Sequence, residues 1–241
     1  MSEFQQKNIF NFPEGETLLI NKPADWTSFN VVSKIRYIIK HNVGIKKIKV
    51  GHAGTLDPKA TGLLIICTGR NTKKIRYYQD TDKEYTGTFL LGKTTPSFDT
   101  ESEADETFPV DHISEGLILE MAAQFTGEME QVPPIYSAVQ IKGKRAYNYA
   151  RNQEEVELKS RRIRIHEFEI SSISLPEVHF RIVCSKGTYI RSLARDFGRA
   201  LSSGAYLSAL CRTRIGDFKL EDAMDIFSFE EKIIKLYGIR T

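Results

Sequence analysis

Ile45-Lys46-Lys47-Ile48-Lys49-Val50, then Gly51-His52-Ala53-Gly54-Thr55-Leu56-Asp57-Pro58-Lys59-Ala60-Thr61-Gly62, then Leu63-Leu64-Ile65-Ile66-Cys67, reads as strand, turn, strand. The turn holds three glycines, one histidine and one aspartate. A carboxylate on a short glycine-rich connection between rigid elements is where a fold presents a nucleophile or base. Glycines such as Gly51 and Gly54, lacking Cβ, let main chain approach a ligand closely. Asp57-Pro58 also reads as a helix N-cap followed by proline at the first helical position, although Gly62 leaves little helix to cap. Both readings stand at this level, since a capping turn can still aim a carboxylate into a cleft. His52, taken alone, is an ordinary histidine.

Outward from that loop, Thr17–Ile20 reads as a strand and Ser28 as the cap of a helix running to about Lys40, with Val31, Val32, Ile35, Ile38 and Ile39 on its inner stripe. Thr72 to Tyr78 reads as a short helix and Glu84–Leu91 as a strand. Ser114 caps a helix ending near Gly127, Arg162–Ser171 and Val178–Cys184 are strands, and Ile190–Leu201 is a helix. Ala205–Phe218 is extended and Phe229–Tyr237 is a terminal helix. Helices and strands mix without βαβ alternation, which predicts an α+β fold around a mixed, mostly antiparallel sheet.

At 241 residues the chain can bury a full core, as one large domain or one domain with an extension. Its apolar runs are far shorter than a membrane span, and its polar N-terminus has no secretory h-region. Cys67, Cys184 and Cys211 are odd in number, widely spaced and set among apolar residues. They read as buried thiols of a cytoplasmic protein, without metal-ligand spacing. The net charge of +3 conceals segregation: Ser97–Glu130 has ten acids and no Lys or Arg, whereas Ile141–Lys219 has sixteen Lys/Arg against eight acids. That basic half, with Lys34–Lys49, suits a polyanion such as nucleic acid. Gly87-Thr88-Phe89-Leu90-Leu91-Gly92-Lys93-Thr94 fits the phosphate-loop pattern in letters only. Its variable positions favour a strand, and Thr95-Pro96 is a poor helix start, so nucleotide hydrolysis is excluded.

Three more segments hold candidate site residues. Asp82-Lys83-Glu84-Tyr85 opens a strand with an aromatic. Ser185-Lys186-Gly187-Thr188-Tyr189-Ile190-Arg191 leads a glycine turn into a helix. Arg191 falls in the first helical turn, where the dipole disfavours a cation by a fraction of a kcal/mol, which suits either a partner carboxylate or a solvated arginine that tolerates the cost. Ala205 to Thr213 is an apolar strand carrying Leu210. With Lys22-Pro23, Thr27-Ser28 and Pro133-Pro134-Ile135-Tyr136-Ser137-Ala138, these blocks in this order span residues 17 to 220. Together they resemble the bacterial tRNA pseudouridine-55 synthases, which isomerise a T-loop uridine.

The resemblance implies a single catalytic domain of pseudouridine synthase fold, with helices flanking the sheet and an RNA-clamping insertion at about 132–160 that is mobile without RNA. No C-terminal PUA domain is expected. It implies tRNA as partner, a monomeric cytoplasmic enzyme, and neither cofactor nor metal, because isomerisation gains no electrons or groups. Asp57 becomes the catalytic aspartate, Arg191 the guanidinium that keeps it ionised, and Tyr85 the ring stacked on the target base. Tyr189 and Leu210 wall the pocket, His52 fills the space left by the flipped base, and Lys22, Gly51 and Gly54 complete the substrate-binding set. Asp25 stands where relatives usually carry glycine, and Gln140 where lysine is common; both departures bear on RNA docking. The alternatives are a synthase of the same fold acting on another RNA, a non-catalytic RNA-binding or RNA-folding protein, and an aspartate-dependent hydrolase that leaves the basic half unexplained.

Overall fold

In the computed structural model, residues 10–137, 140–141, 144–145, 149 and 158–238 are described. The chain runs through β1 (Thr17–Lys22), α1 (Ser28–Ile38), β2 (Val50–His52), β3 (Thr61–Thr68), α2 (Ile75–Gln79), β4 (Lys83–Leu91), β5 (Lys93–Thr94), β6 (Glu106–Thr107), α3 (Glu115–Gln124) and β7 (Gly127–Gln131). It continues through β8 (Gln140–Ile141), β9 (Lys144–Arg145), β10 (Arg161–Ser174), β11 (Glu177–Cys184), α4 (Ile190–Ala200), β12 (Ala205–Ile215), β13 (Phe218–Lys219), β14 (Met224–Asp225) and α5 (Ile226–Tyr237). Two compact units emerge: Met1–Thr81 with Thr213–Thr241, and Asp82–Arg212.

The first unit is built on β3. β1 pairs antiparallel with it, Leu18 opposite Ile66 and Ile20 opposite Leu64, and β14 pairs parallel with β1. Leu18, Ile20, Leu64 and Ile66 pack with Val31 and Ile35 of α1 and with Phe229 and Ile233 of α5. The alternate residues Leu63, Ile65 and Cys67 pack on Tyr78 and Ile215. Both faces of β3 are therefore covered, which is why Leu63–Cys67 is an unbroken apolar run rather than an alternating one. Each such aliphatic side chain contributes about 1.5–3 kcal/mol on full burial.

The second unit orders its strands β12-β4-β11-β10-β7, and β12 passes into the first unit at Thr213. The β4–β11, β11–β10 and β10–β7 pairings are all antiparallel. On β11 the inward residues Val178, Phe180 and Ile182 are buried, while His179 and Arg181 between them are only half-buried. Phe89, Phe168, Phe180 and Phe197 form an aromatic core, with Phe89 and Phe180 centroids 4.3 Å apart and Phe197 supplied by α4. The α+β architecture with a mixed, mostly antiparallel sheet agrees with the pattern read from the sequence.

Local differences have local causes. The expected strand at 45–50 shrinks to Val50–His52, because its partner β3 ends at Thr68, opposite Val50, and Gly69 N–H then takes the Lys49 carbonyl at 2.9 Å. Thr72 does not start a helix; its hydroxyl donates to the Gly69 carbonyl at 2.8 Å inside a 3-10 turn, and α2 follows at Ile75. The strand β7 had no apolar run to reveal it: Gly127-Glu128-Met129-Glu130-Gln131 is an alternating, mostly polar strand beside β10. Gly87–Leu91 lies inside β4, so no phosphate loop exists there. About half of the segment expected to clamp RNA, residues 132–160, lies outside the described residues.

Candidate active site

Asp57 resolves the ambiguity in its own loop. Ala60 N–H closes onto the Asp57 carbonyl at 3.1 Å, forming a turn with Pro58 second, and β3 begins at Thr61. No helix follows, so Asp57 opens a β-turn, for which proline in the second position is the favoured residue. The aspartate is half-buried. Gly54 sits at φ +98°, a backbone region closed to most side chains. A Cβ on Gly51 meets only the flexible tip of Ile75, at 2.8 Å, so packing alone does not demand glycine there. His52 ends β2 opposite Ile66.

The segment 22–28 grips this turn. Lys22 is fully buried, and its ammonium donates to the carbonyls of Pro23 (2.9 Å), Trp26 (2.6 Å) and Pro58 (3.1 Å). Asp25 N–H also reaches the Pro58 carbonyl, at 2.9 Å. Asp25 itself has φ +64°, which explains why glycine suits the position; aspartate is among the few other residues that tolerate it. Its carboxylate pairs with Lys59 at 2.7 Å, and that hydrogen bond holds its pKa below the ordinary value. The helix cap expected at Ser28 is in fact Thr27, whose hydroxyl accepts from Asn30 N–H while the Asn30 side chain accepts from Thr27 N–H.

In the second unit, Tyr85 lies on β4 opposite Ile182, 9% exposed. Tyr189 is the N-cap of α4, held by Gln131 through both main-chain groups: Tyr189 N–H to Oε1 at 2.8 Å, and Nε2 to its carbonyl at 3.1 Å. The Arg161 guanidinium lies 5.6 Å from the Tyr189 ring centre. Leu210 is half-buried on β12.

Arg191 occupies the second position of α4 and is 5% exposed. Within its unit it has the carboxylate that a cation at a helix start calls for, namely Asp99, whose Oδ2 lies 3.4 Å from Nε. Its other nitrogens donate to the Ser97 carbonyl (3.1 Å) and the Tyr136 carbonyl (2.9 Å). Asp99 is 4% exposed and accepts from Ser97 Oγ at 2.6 Å and Glu101 N–H at 2.9 Å. Sequence reasoning missed Asp99 because it sits in the acidic run, where one carboxylate looks like its neighbours. The available signals were the misplaced cation and the hydroxyl-rich surroundings Thr95, Ser97 and Ser102.

Across the first unit, charge is segregated. Between Trp26 and Gln79 there are eleven Lys/Arg, and Asp57 is the sole acid. Lys46, Lys47, Lys49, Lys73, Lys74 and Arg76 are all exposed. Among the described residues no group of three or more His, Cys, Asp or Glu is arranged to hold a metal ion.

Residues 40–190 match the model of the TruB family pseudouridylate synthase N-terminal domain. The chain is 58% identical over 221 residues to a tRNA pseudouridine synthase B of Flavobacterium johnsoniae, covering 91% of this chain and 96% of that protein. It is 57% identical to the protein of the same name from Phocaeicola vulgatus, covering 92% and 94%. Among solved structures it superposes on a chain of a Cbf5-Nop10-Gar1 complex with a TM-score of 0.71 at 29% identity, covering 95% of this chain and 58% of that one. An H/ACA RNP bound to a substrate RNA containing 2′-deoxyuridine gives a TM-score of 0.67 at 26% identity, covering 95% and 57%. The match to more than half the chain, and the identity to relatives along nearly their whole length, place this protein in the TruB family of pseudouridylate synthases.

Proposed function

We propose that the chain isomerises the T-loop uridine of tRNA to pseudouridine, with Asp57 as the reacting carboxylate. One observation carries the proposal: the lone acid among eleven Lys/Arg between Trp26 and Gln79 sits on a turn gripped by the segment before α1. A surface built for phosphates gains nothing from a carboxylate at that point, so its use is chemical. The relatives named tRNA pseudouridine synthase B support tRNA as the substrate.

In the reaction the bond from C1′ to N1 breaks, the uracil turns, and C1′ joins C5; the proton leaving C5 is matched by one gained at N1. Asp57 attacks the nucleotide or stabilises its cleaved sugar. Desolvation under RNA raises a carboxylate pKa, so a guanidinium is needed to keep it charged, and Arg191 is assigned that role. Tyr85 stacks on the base, Tyr189 and Leu210 wall it, and His52 takes the vacated space. Extruding the base costs a few kcal/mol, offset by contacts to the Gly51 and Gly54 main chain and to the basic surface. Lys22, expected among the substrate contacts, is fully buried with its three N–H groups on the Pro23, Trp26 and Pro58 carbonyls, so it serves the turn and not the RNA. The same reading has the protein acting as a monomer in the cytoplasm, tested by light scattering with and without tRNA.

The discriminating experiment incubates wild type and Asp57→Ala with T-loop RNA and maps pseudouridine. Wild type is expected to give product and Asp57→Ala none, with RNA binding retained in both. Failure of wild type removes the enzymatic reading, and product from Asp57→Ala removes the role of Asp57.

A further inference from the structure

We propose that Ser28 is a positioning residue for the Asp57 carboxylate. Its hydroxyl fastens both main-chain groups of Leu56, the residue before the aspartate, to the first turn of α1. The inference rests on Asp57 being the reacting group. Ser28 is 2% exposed and takes no part in capping, which Thr27 performs. Its Oγ accepts from Leu56 N–H at 2.9 Å and donates to the Leu56 carbonyl at 3.2 Å. One serine hydroxyl thereby does for Leu56 what a paired strand does, supplying an acceptor and a donor together.

On the far side of Asp57, the Pro58 carbonyl is held by Asp25 N–H and the Lys22 ammonium. The residues on both sides of the aspartate are thus tied to the single segment 22–28, which leaves the side-chain torsions as its main freedom. Leu56 is 3% exposed, so burial alone asks for partners to its main chain, but not that both flanks of the aspartate share one bracket. Reacting groups do need one, since geometry must hold to about half an ångström.

The hydroxyl is far smaller than the RNA-binding surface, so its loss displaces the carboxylate while every phosphate-binding side chain stays in place. The signature is a fall in the chemical step with RNA affinity preserved. The test measures single-turnover pseudouridine formation at saturating T-loop transcript, the transcript Kd, and the melting temperature. Ser28→Ala is expected to slow the step about 10- to 100-fold, the range for a reacting group displaced by up to about 1 Å. Its Kd is expected to stay within about twofold of wild type. Ser28→Thr keeps the hydroxyl and is expected to hold the rate within about threefold. Ser28→Cys nearly keeps the volume but offers a weakly bonding sulfur. It should be as slow as Ser28→Ala, and it decides the matter if Ser28→Ala is unfolded at the assay temperature.

A folded Ser28→Ala or Ser28→Cys at wild-type rate overturns the proposal. So does Ser28→Thr as slow as Ser28→Ala, or a loss that appears only in Kd. Asp57→Ala run in parallel separates the two claims. Product from Asp57→Ala removes the reading of Asp57 and this inference with it. A silent Asp57→Ala beside a fast Ser28→Ala removes this inference alone.

Discussion

Replacing Asp99 with alanine removes a buried carboxylate from beside a buried guanidinium. Arg191 and Asp99 are 5% and 4% exposed, and Nε lies 3.4 Å from Oδ2. In Asp99→Ala, Arg191 keeps its hydrogen bonds to the Ser97 and Tyr136 carbonyls but loses the carboxylate beside Nε. Removing one partner of a buried pair costs about 3–5 kcal/mol. Without Oδ1, the donors Ser97 Oγ and Glu101 N–H add about 1 kcal/mol each at most. A net loss of about 4 kcal/mol lowers the melting temperature by about 8–16 °C for a chain of this size. Asp99→Asn is expected to lose about half as much: Oδ1 can keep its two donors, but the amide nitrogen then faces Nε. The double variant Asp99→Leu/Arg191→Met is expected to be more stable than Asp99→Ala, because it removes both members of this buried pair. Urea unfolding at neutral pH, with midpoint and slope both fitted, measures all three. A loss under about 1 kcal/mol for Asp99→Ala, or a double variant at least as unstable, would refute the reasoning.

Three further outcomes are expected. Lys46→Ala/Lys47→Ala/Lys49→Ala should weaken transcript binding and flatten the log Kd against log salt slope by about one for each phosphate no longer neutralised, with the single-turnover rate at saturation unchanged; an unaltered slope removes these lysines from the RNA surface. Burial pushes the Cys67 thiol up to about 11 and the Cys184 thiol up to about 12, while Cys211 is partly exposed. At pH 8 a disulfide reagent should therefore label one thiol in the native protein and all three in denaturant, and fast native labelling of two contradicts this. Asp225 caps α5 by accepting from the Ser228 hydroxyl and from Phe227 and Ser228 N–H, which lowers its pKa below 3.8. Its contribution is complete above the unfolded value and is lost as pH falls through the lower folded value. Asp225→Asn should thus show a shallower acid loss below pH 3.8, and an identical acid limb rejects the cap.

Much of the fold was legible because it depends on local pattern. β1, β4, β10, β11, α4 and α5 follow apolar periodicities that the chain displays openly, and β3 betrays its double burial by an unbroken apolar run. The family's blocks were equally legible, since Asp57, Tyr85, Tyr189 and Arg191 each sit in a short, recognisable context. What stayed hidden depends on partners distant in sequence. Nothing near Ser28 says that its hydroxyl serves Leu56, 28 residues on, rather than its own helix. Asp99 is indistinguishable from its acidic neighbours until the fold buries it against Arg191, 92 positions away. The Asp57 turn is the same case: its residues allow a helix cap, and only the pairing of β3 with β1, Gly62 opposite Lys22, ends the turn at Ala60 before a helix can form. Composition and periodicity record which residues avoid water, a property each residue carries along the chain. Which buried donor meets which acceptor is a property of the closed fold, and it exists only once long-range packing has brought the two together.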